Sequence, residues 1–483
     1  MYIGTCVVFV RNKRPTNTFK RLTAVLMKMA VLGKEALESV ASSWGSIAAS
    51  LYRPTYLGEI TWVVIAQLAA FSGGLATVKM AATVLGPSEY GKLSVGLAIV
   101  GIAQVCLYGA IAQTAMRFLA FADAGRLLGE YRLALVKLAG IAALVIFASW
   151  ALASIFGLQR LAPIPVAMLA AYAIISGAQM VAIAICNAAR KRDVVGIAQT
   201  SEAFIRPLLI VVVTYVTVAS AHHTLVAYLI STCLVVAVIV ALWASKERAG
   251  RLEPSAARSG DNSPGTGLAW AMTTFAAPFV VFAVLGVIGS HGERLLLSKW
   301  VTWAEVGSYA LMAQLVMAPN VLFTAVINQF YFPLVFQFDP SGTHKMTRGF
   351  SFYLLVSILG VTAITTGVAL SAPLLIPLFS TTAFLGHEHL LWLLGPSAGF
   401  FCIAQQLVLP GLRLNRPAVY MPAKLVHSLA LLGPSLILVP KWGVDGMGVA
   451  SLIASVSYLL AMLLANIWLK RNLKSTGVIE VGG

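Results

Sequence analysis

Beyond about residue 54 the chain is a succession of long apolar runs separated by short polar ones. A hydrocarbon core about 30 Å thick takes about 20 helical residues to cross. Twelve runs meet that criterion: 57–84, 90–120, 133–157, 163–188, 194–219, 222–244, 268–298, 303–336, 349–372, 389–412, 417–440 and 444–469. None alternates apolar and polar positions as a lipid-facing barrel strand does, and a lone apolar segment in lipid satisfies its backbone only as a helix. The pattern predicts an all-α, polytopic membrane protein with twelve transmembrane helices. The stretch 371–389, with Pro373 and Pro377, is expected to extend the ninth span or to form a short interfacial helix.

The pattern also repeats. Glu89, Gly91 and Ser94 in GPSEYGKLSVGLAIV return as Glu305, Gly307 and Ala310 in TWAEVGSYALMAQLV at one constant offset, and a basic residue precedes each copy, Lys79 the first and Arg294 the second. Span, cation, turn and span recurring half a chain apart predict two related halves. The expected division is a six-helix bundle over 55–245, a cytoplasmic linker over 246–266, a second six-helix bundle over 267–470 and a cytoplasmic tail over 471–483. The linker reading follows from the charge, Gly, Pro and Ser of SKERAGRLEPSAARSGDNSPGTG. Residues 1–54 form an N-terminal extension, in which Leu22, Leu26, Met29, Leu37, Val40 and Trp44 are spaced for an amphipathic helix. Met27 and Met29 are alternative starts.

Composition agrees with a membrane solvent: 59% of residues are hydrophobic, 11% are charged and the mean hydropathy is +0.87. The excess of 34 Lys and Arg over 17 acidic residues would suggest a nucleic-acid partner in a soluble protein. Here the basic residues collect in alternate loops. Arg126 with Arg132, Arg190-Lys191-Arg192, Lys246 with Arg248 and Arg251, Lys345 with Arg348, Arg413 with Arg416, and Lys470-Arg471 all fall on one side, which marks that side as cytoplasmic. The expectation is a multi-pass membrane protein with both termini in the cytoplasm and no nucleic-acid partner. Trp62, Trp150, Trp243, Trp270, Trp300, Trp303, Trp442 and Trp468 lie near span ends, as in an interfacial aromatic belt. The five cysteines are scattered, with no metal or disulfide spacing.

No P-loop, HExxH, GxSxG or metal cluster occurs, and the predicted outer loops are too short for a catalytic domain. The chain therefore reads as a non-enzyme without a bound cofactor. What remains is charge inside the spans, where each ion costs about 2.5–3.5 kcal/mol and normally faces a partner or a wet cavity. Arg206 lies roughly 18 Å in from the start of span five at about 1.5 Å per residue. Glu202, one turn earlier, is placed to pair with it, and Pro207 favours a bend there. Arg294 follows Glu293 in span seven; neighbours on a helix point about 100° apart, so each needs another partner. Lys79 in span one and Lys424 with His427 in span eleven complete the set, and span eleven stands in the second half where span five stands in the first. Arg206 and Lys424 are therefore expected to face one common cavity. Arg117, at the end of span two, is expected to reach the cytoplasmic phosphate layer, with a substrate-entry role as the alternative. Gln179, Asn187, Gln314, Asn328, Gln405 and Gln406 suit either sugar hydroxyls or helix-to-helix hydrogen bonds. A cavity holding more cations than carboxylates suits an anion with several charges, such as a lipid diphosphate.

LGPSEYGKLSV followed by Arg117, AAPFVV, GERLLLSKW, EVGSYALMAQL and PKWGVDGMGVA, in that order, resemble the Wzx-type polysaccharide flippases of the multidrug/oligosaccharidyl-lipid/polysaccharide (MOP) exporter superfamily. The resemblance spans about residues 55–470. It implies two six-helix bundles in a V around a central cavity, and alternating access that carries an undecaprenyl-diphosphate-linked oligosaccharide from the cytoplasmic to the periplasmic leaflet. It also implies that intramembrane cations hold the diphosphate, here Arg206, Arg294, Lys79, Lys424 and Arg117. The family often has Asp where Glu293 stands. Membrane lipids, a polysaccharide polymerase and a chain-length regulator are the partners such a role brings. Coupling to a proton or sodium gradient is open, with Glu202, Glu293 or His427 as the titrating group. The competing reading is a drug/cation antiporter of the same superfamily.

Overall fold

In the computed structural model the described residues are 54–124, 127–155, 163–248, 267–336, 344–414 and 416–475. The proposed amphipathic helix of the extension, nearly all of the linker and the end of the tail lie outside them.

The described residues are helical, with no strand among them. The run Pro54–Ala103 breaks at Gly86, whose φ of 68° only glycine adopts readily, and Pro87 follows without a backbone N–H. The break gives α1 (54–85) and α2 (87–124). Next come α3 (Leu128–Ile155), α4 (Val166–Ala188), α5 (Arg192–Val216), α6 (Ala221–Arg248), α7 (Leu268–Trp300), α8 (Trp303–Phe336) and α9 (His344–Leu370). A short helix, Ala372–Phe379, and a 3-10 turn, Thr382–Phe384, lead to α10 (Leu390–Gln406). The run Met421–Ser475 breaks at Gly443, φ 55°, into α11 (421–442) and α12 (444–475).

These are the twelve spans of the sequence within a few residues, and 371–389 takes the short-helix alternative. Two membrane-length apolar stretches, Ile65–Asp123 and Ala418–Asn472, cover two spans each, and α7 adds an apolar segment at Leu268–Ala277. The outer face of α3 shows what surrounds it: Leu133, Val136, Ile141, Leu144, Phe147 and Leu152 are exposed in a row. A soluble protein rarely exposes so large an apolar face, whereas lipid solvates it.

By packing, nearly all described residues belong to one unit, Glu59–Phe338 with Leu354–Gly483. The other, Met1–Gly58 with Asp339–Tyr353, contributes only two helix ends, in the second of which Phe350 stacks on Tyr353. Within the large unit α5 packs along α6, α10 along the α11–α12 run, and α7 along that run and against α2 and α3. Small residues permit the closest crossings, as expected where helix association depends on backbone approach. Gly73 of α1 faces Ala203 of α5, Gly177 of α4 faces the Tyr108 ring, and Gly446 of α12 faces the backbone of Leu438.

The two copies of the repeat meet. A side chain at Gly91 would collide with the carbonyl oxygen of Trp303, and one at Gly307 with the carbonyl oxygen of Pro87. The contact is reciprocal, glycine against glycine, where α2 and α8 begin. Both matched acids secure this end. Glu89 pairs with Lys92 at 2.6 Å and accepts the Ala221 N–H at 2.8 Å, which caps α6. Glu305 accepts the N–H of Thr302 at 2.9 Å and its hydroxyl at 2.7 Å, a capping box that starts α8.

Candidate functional site

Directly inside the Gly91–Gly307 crossing lies a cavity of about 370 Å³. At about 30 Å³ per water it has room for roughly a dozen waters, the size of a headgroup rather than of a whole lipid. Each helix presents one face to it. Ala70, Gly73, Gly74, Thr77 and Val78 form a stripe on α1, and Tyr90, Leu93, Ser94 and Leu97 form another on α2. On α5 Gln199, Glu202, Ala203 and Arg206 follow the same three- and four-residue spacing, and Tyr228, Arg294, Ala310 and Gln314 come from α6, α7 and α8.

Arg206 and Arg294, from opposite halves of the sequence, thus line one cavity. The Nη2 of Arg206 donates to Oε1 of Glu202 in the predicted one-turn pair. Its Nε reaches Ser231 at 3.5 Å, and its plane lies over the Tyr228 ring with Cζ 4.8 Å from the centroid. Arg294 makes no hydrogen bond or ion pair among the described residues. Its neighbour Glu293 points elsewhere, as the 100° rule requires: it accepts from the Tyr309 hydroxyl at 2.6 Å and from the Ser451 hydroxyl. Among the described lining residues there are therefore two guanidinium groups and one carboxylate, and the carboxylate is already engaged.

The other candidates lie outside this lining. Lys79 sits on the far side of α1, since a residue one step past Val78 and two past Thr77 turns away from the stripe at about 100° per residue. Lys424 does not share the cavity with Arg206. Its Nζ lies 3.9 Å from where a side chain on Gly286 would begin, and one turn later the His427 ring fills the notch at Gly289, beside Phe401 and Tyr458. Equivalent place in two repeats did not give equivalent facing, because the paired glycines of α7 admit these side chains into helix packing. Arg117 is exposed, with its guanidinium 4.3 Å over the Phe275 ring of α7, a cation–π contact that ties α2 to the second half.

Among the amides, Gln314 and Gln199 face the cavity, while Gln179 donates to Glu202 at 2.7 Å and Gln405 accepts from Tyr458 at 3.3 Å. Sequence reasoning did not pick out Tyr90, Tyr228, Thr77 or Gln199, and it marked Ser94 only as a position of the repeat. The available signal was their spacing: Gly73-Thr77 and Gln199-Glu202-Arg206 each mark one face of a helix. Among the described residues no group of three or more His, Cys, Asp or Glu side chains is arranged to hold a metal.

Apolar membrane-length helices around a cavity lined by charged side chains define a multi-pass membrane protein. The family model described as "Polysaccharide biosynthesis protein" matches residues 57–339, more than half of the sequence, and the chain belongs to that family. No curated protein sequence matches it. Solved structures share the fold at low identity. A multidrug resistance MATE family transporter of the MOP superfamily, inward-facing, superposes with a TM-score of 0.58 at 15% identity, covering 86% of this chain and 96% of its own. Lipid II flippase MurJ in an inward closed conformation gives 0.60 at 13%, covering 84% and 87%. An outward-facing MATE family transporter of the MOP superfamily gives 0.56 at 16%, covering 86% and 97%. The chain has the fold of the MOP exporters.

Proposed function

We propose that this protein is a lipid-linked oligosaccharide flippase: it carries an undecaprenyl-diphosphate-linked repeat unit from the cytoplasmic to the periplasmic leaflet of the inner membrane by alternating access. One observation carries the reading. Arg206 and Arg294 converge on a single half-open cavity whose only carboxylate, among the described lining residues, is held by Arg206 and Gln179. A diphosphate offers enough charge to offset the desolvation of both guanidinium groups, and each accepts it through a planar fork of N–H donors. The tyrosines and amides around them suit the first sugar. The lipid tail stays in the bilayer, which the modest cavity volume requires. Family membership supports a role in polysaccharide biosynthesis, and a protein of like fold described as a lipid II flippase accords with a lipid-linked cargo.

In this reading the basic loops and both termini lie in the cytoplasm, no covalent step is catalysed, and a polymerase and chain-length regulator act next on the translocated unit. A proton or sodium gradient drives the cycle, with Glu202, Glu293 or His427 as the coupling group. Of these, Glu202 touches the cavity and Glu293 sits one residue from Arg294.

Arg206→Ala and Arg294→Ala should each abolish surface polysaccharide and accumulate lipid-linked intermediates while protein level stays normal. Normal polysaccharide in both variants refutes the assignment. Drug/cation antiport is the second reading. It needs a carboxylate free for the cation, whereas among the described lining residues the ion without a hydrogen bond or ion pair is Arg294; substrate-stimulated drug resistance in an exporter-deficient strain would establish it instead.

A further inference from the structure

Glu202 is held from two sides. Its Oε1 accepts from Arg206, and its Oε2 accepts from Nε2 of Gln179 on α4, 2.7 Å away. The amide orientation follows from chemistry, because an ionised carboxylate only accepts and the partner atom must be the donor. Gln179 is 6% exposed and lies behind the cavity wall, outside its lining.

A guanidinium beside a carboxylate tends toward a two-point fork, with two parallel N–H···O bonds. At Glu202 the second oxygen is taken. Arg206 is therefore tied to Glu202 by Nη2 alone, with its plane seated on Tyr228 and its Nε toward Ser231, and Nη1 makes no hydrogen bond among the described residues. We propose that Gln179 is a positioning residue of the anion site: by occupying Oε2 of Glu202 it keeps Arg206 out of the fork and leaves Nη1 free for the phosphate oxygens of the cargo. This rests on the reading of the cavity as an anion site. It assigns the restraint on Arg206 to a residue that lies outside the cavity lining and bonds to Glu202.

An ordinary role for Gln179 is to tie α4 to α5, and the test must separate the two. The full chain in lipid nanodiscs is treated with phenylglyoxal, and the adduct at Arg206 is followed by mass spectrometry. Gln179→Met, close in volume, should slow Arg206 modification about five- to tenfold, the scale of one further hydrogen bond at about 1 kcal/mol. Gln179→Thr, too short to reach Oε2, should act in the same direction. In a Glu202→Gln background neither replacement should slow it further, since the positioning runs through that carboxylate. Unchanged modification in both variants overturns the proposal, and so does slowing that persists in the Glu202→Gln background, which would mark a packing effect. Inorganic diphosphate reads the anion site separately, by protecting Arg206 in the wild-type chain. Protection without a Gln179 effect overturns this inference alone. A Gln179 effect without protection overturns the anion-site reading and keeps the positioning of Arg206.

Discussion

Replacing Gly91 by alanine puts a methyl group where α2 and α8 touch. The added carbon falls on the carbonyl oxygen of Trp303 and stands 2.9 Å from the backbone nitrogen of Gly307. Neither contact can yield as a flexible side chain would, because both atoms are main chain at the start of a helix. A relaxed C···O contact is about 3.3 Å or longer, so the crossing must open by about an ångström or strain locally. Overpacking of this kind costs about 1–3 kcal/mol. If alternating access opens the cavity at this end, the cost falls on the closed form alone and shifts the closed-to-open ratio about 5- to 150-fold. Ser94 lines the cavity one turn inside the crossing and reports the change. In a chain stripped of its five native cysteines, Ser94→Cys should react with a membrane-impermeant maleimide applied outside at least about fivefold more when Gly91→Ala is present. Gly307→Ala should do the same, and the double variant should fall short of the product because both relieve one contact. Gly140→Ala, where a side chain meets open space, is the control. Labelling that Gly91→Ala leaves unchanged would show that this crossing does not close the cavity.

Two further predictions concern stability. Tyr309→Phe removes the 2.6 Å hydrogen bond to Glu293 and leaves a half-buried carboxylate oxygen without it, a loss of about 1–2 kcal/mol that should lower the melting temperature of the purified protein; an unchanged or higher value would refute the role of that bond. The pair between His389 and Asp445, 2.6 Å apart, has side chains 55% and 48% exposed. His389→Ala should therefore change stability by no more than about 0.5 kcal/mol and leave surface polysaccharide intact, and a loss of polysaccharide would show that the pair does more than decorate the surface.

The sequence by itself determined the elements. Run lengths gave twelve helices with breaks between 84 and 90 and between 440 and 444, where the structure has Gly86 and Gly443. Each is a local property: a span's length answers to bilayer thickness, and a turn to the backbone freedom of its residues. The pair of Glu202 with Arg206 was equally legible, being one turn apart on one helix.

Only the tertiary structure decided which face of each helix points inward. In water the buried face shows itself by contrast with a polar one, but lipid is as apolar as Leu, so a spanning helix carries little such contrast. Hence Arg294 reaches the cavity of Arg206 while Lys79 turns away on α1, although the two stand at matching places before their repeats. For the same reason Lys424 and His427 lie against the glycine notch of α7, and Gln179 braces Glu202 from behind the wall. The glycines at 91 and 307 were visible as a repeated pattern. That they touch one another is a fact of packing between segments half a chain apart, which no local rule contains.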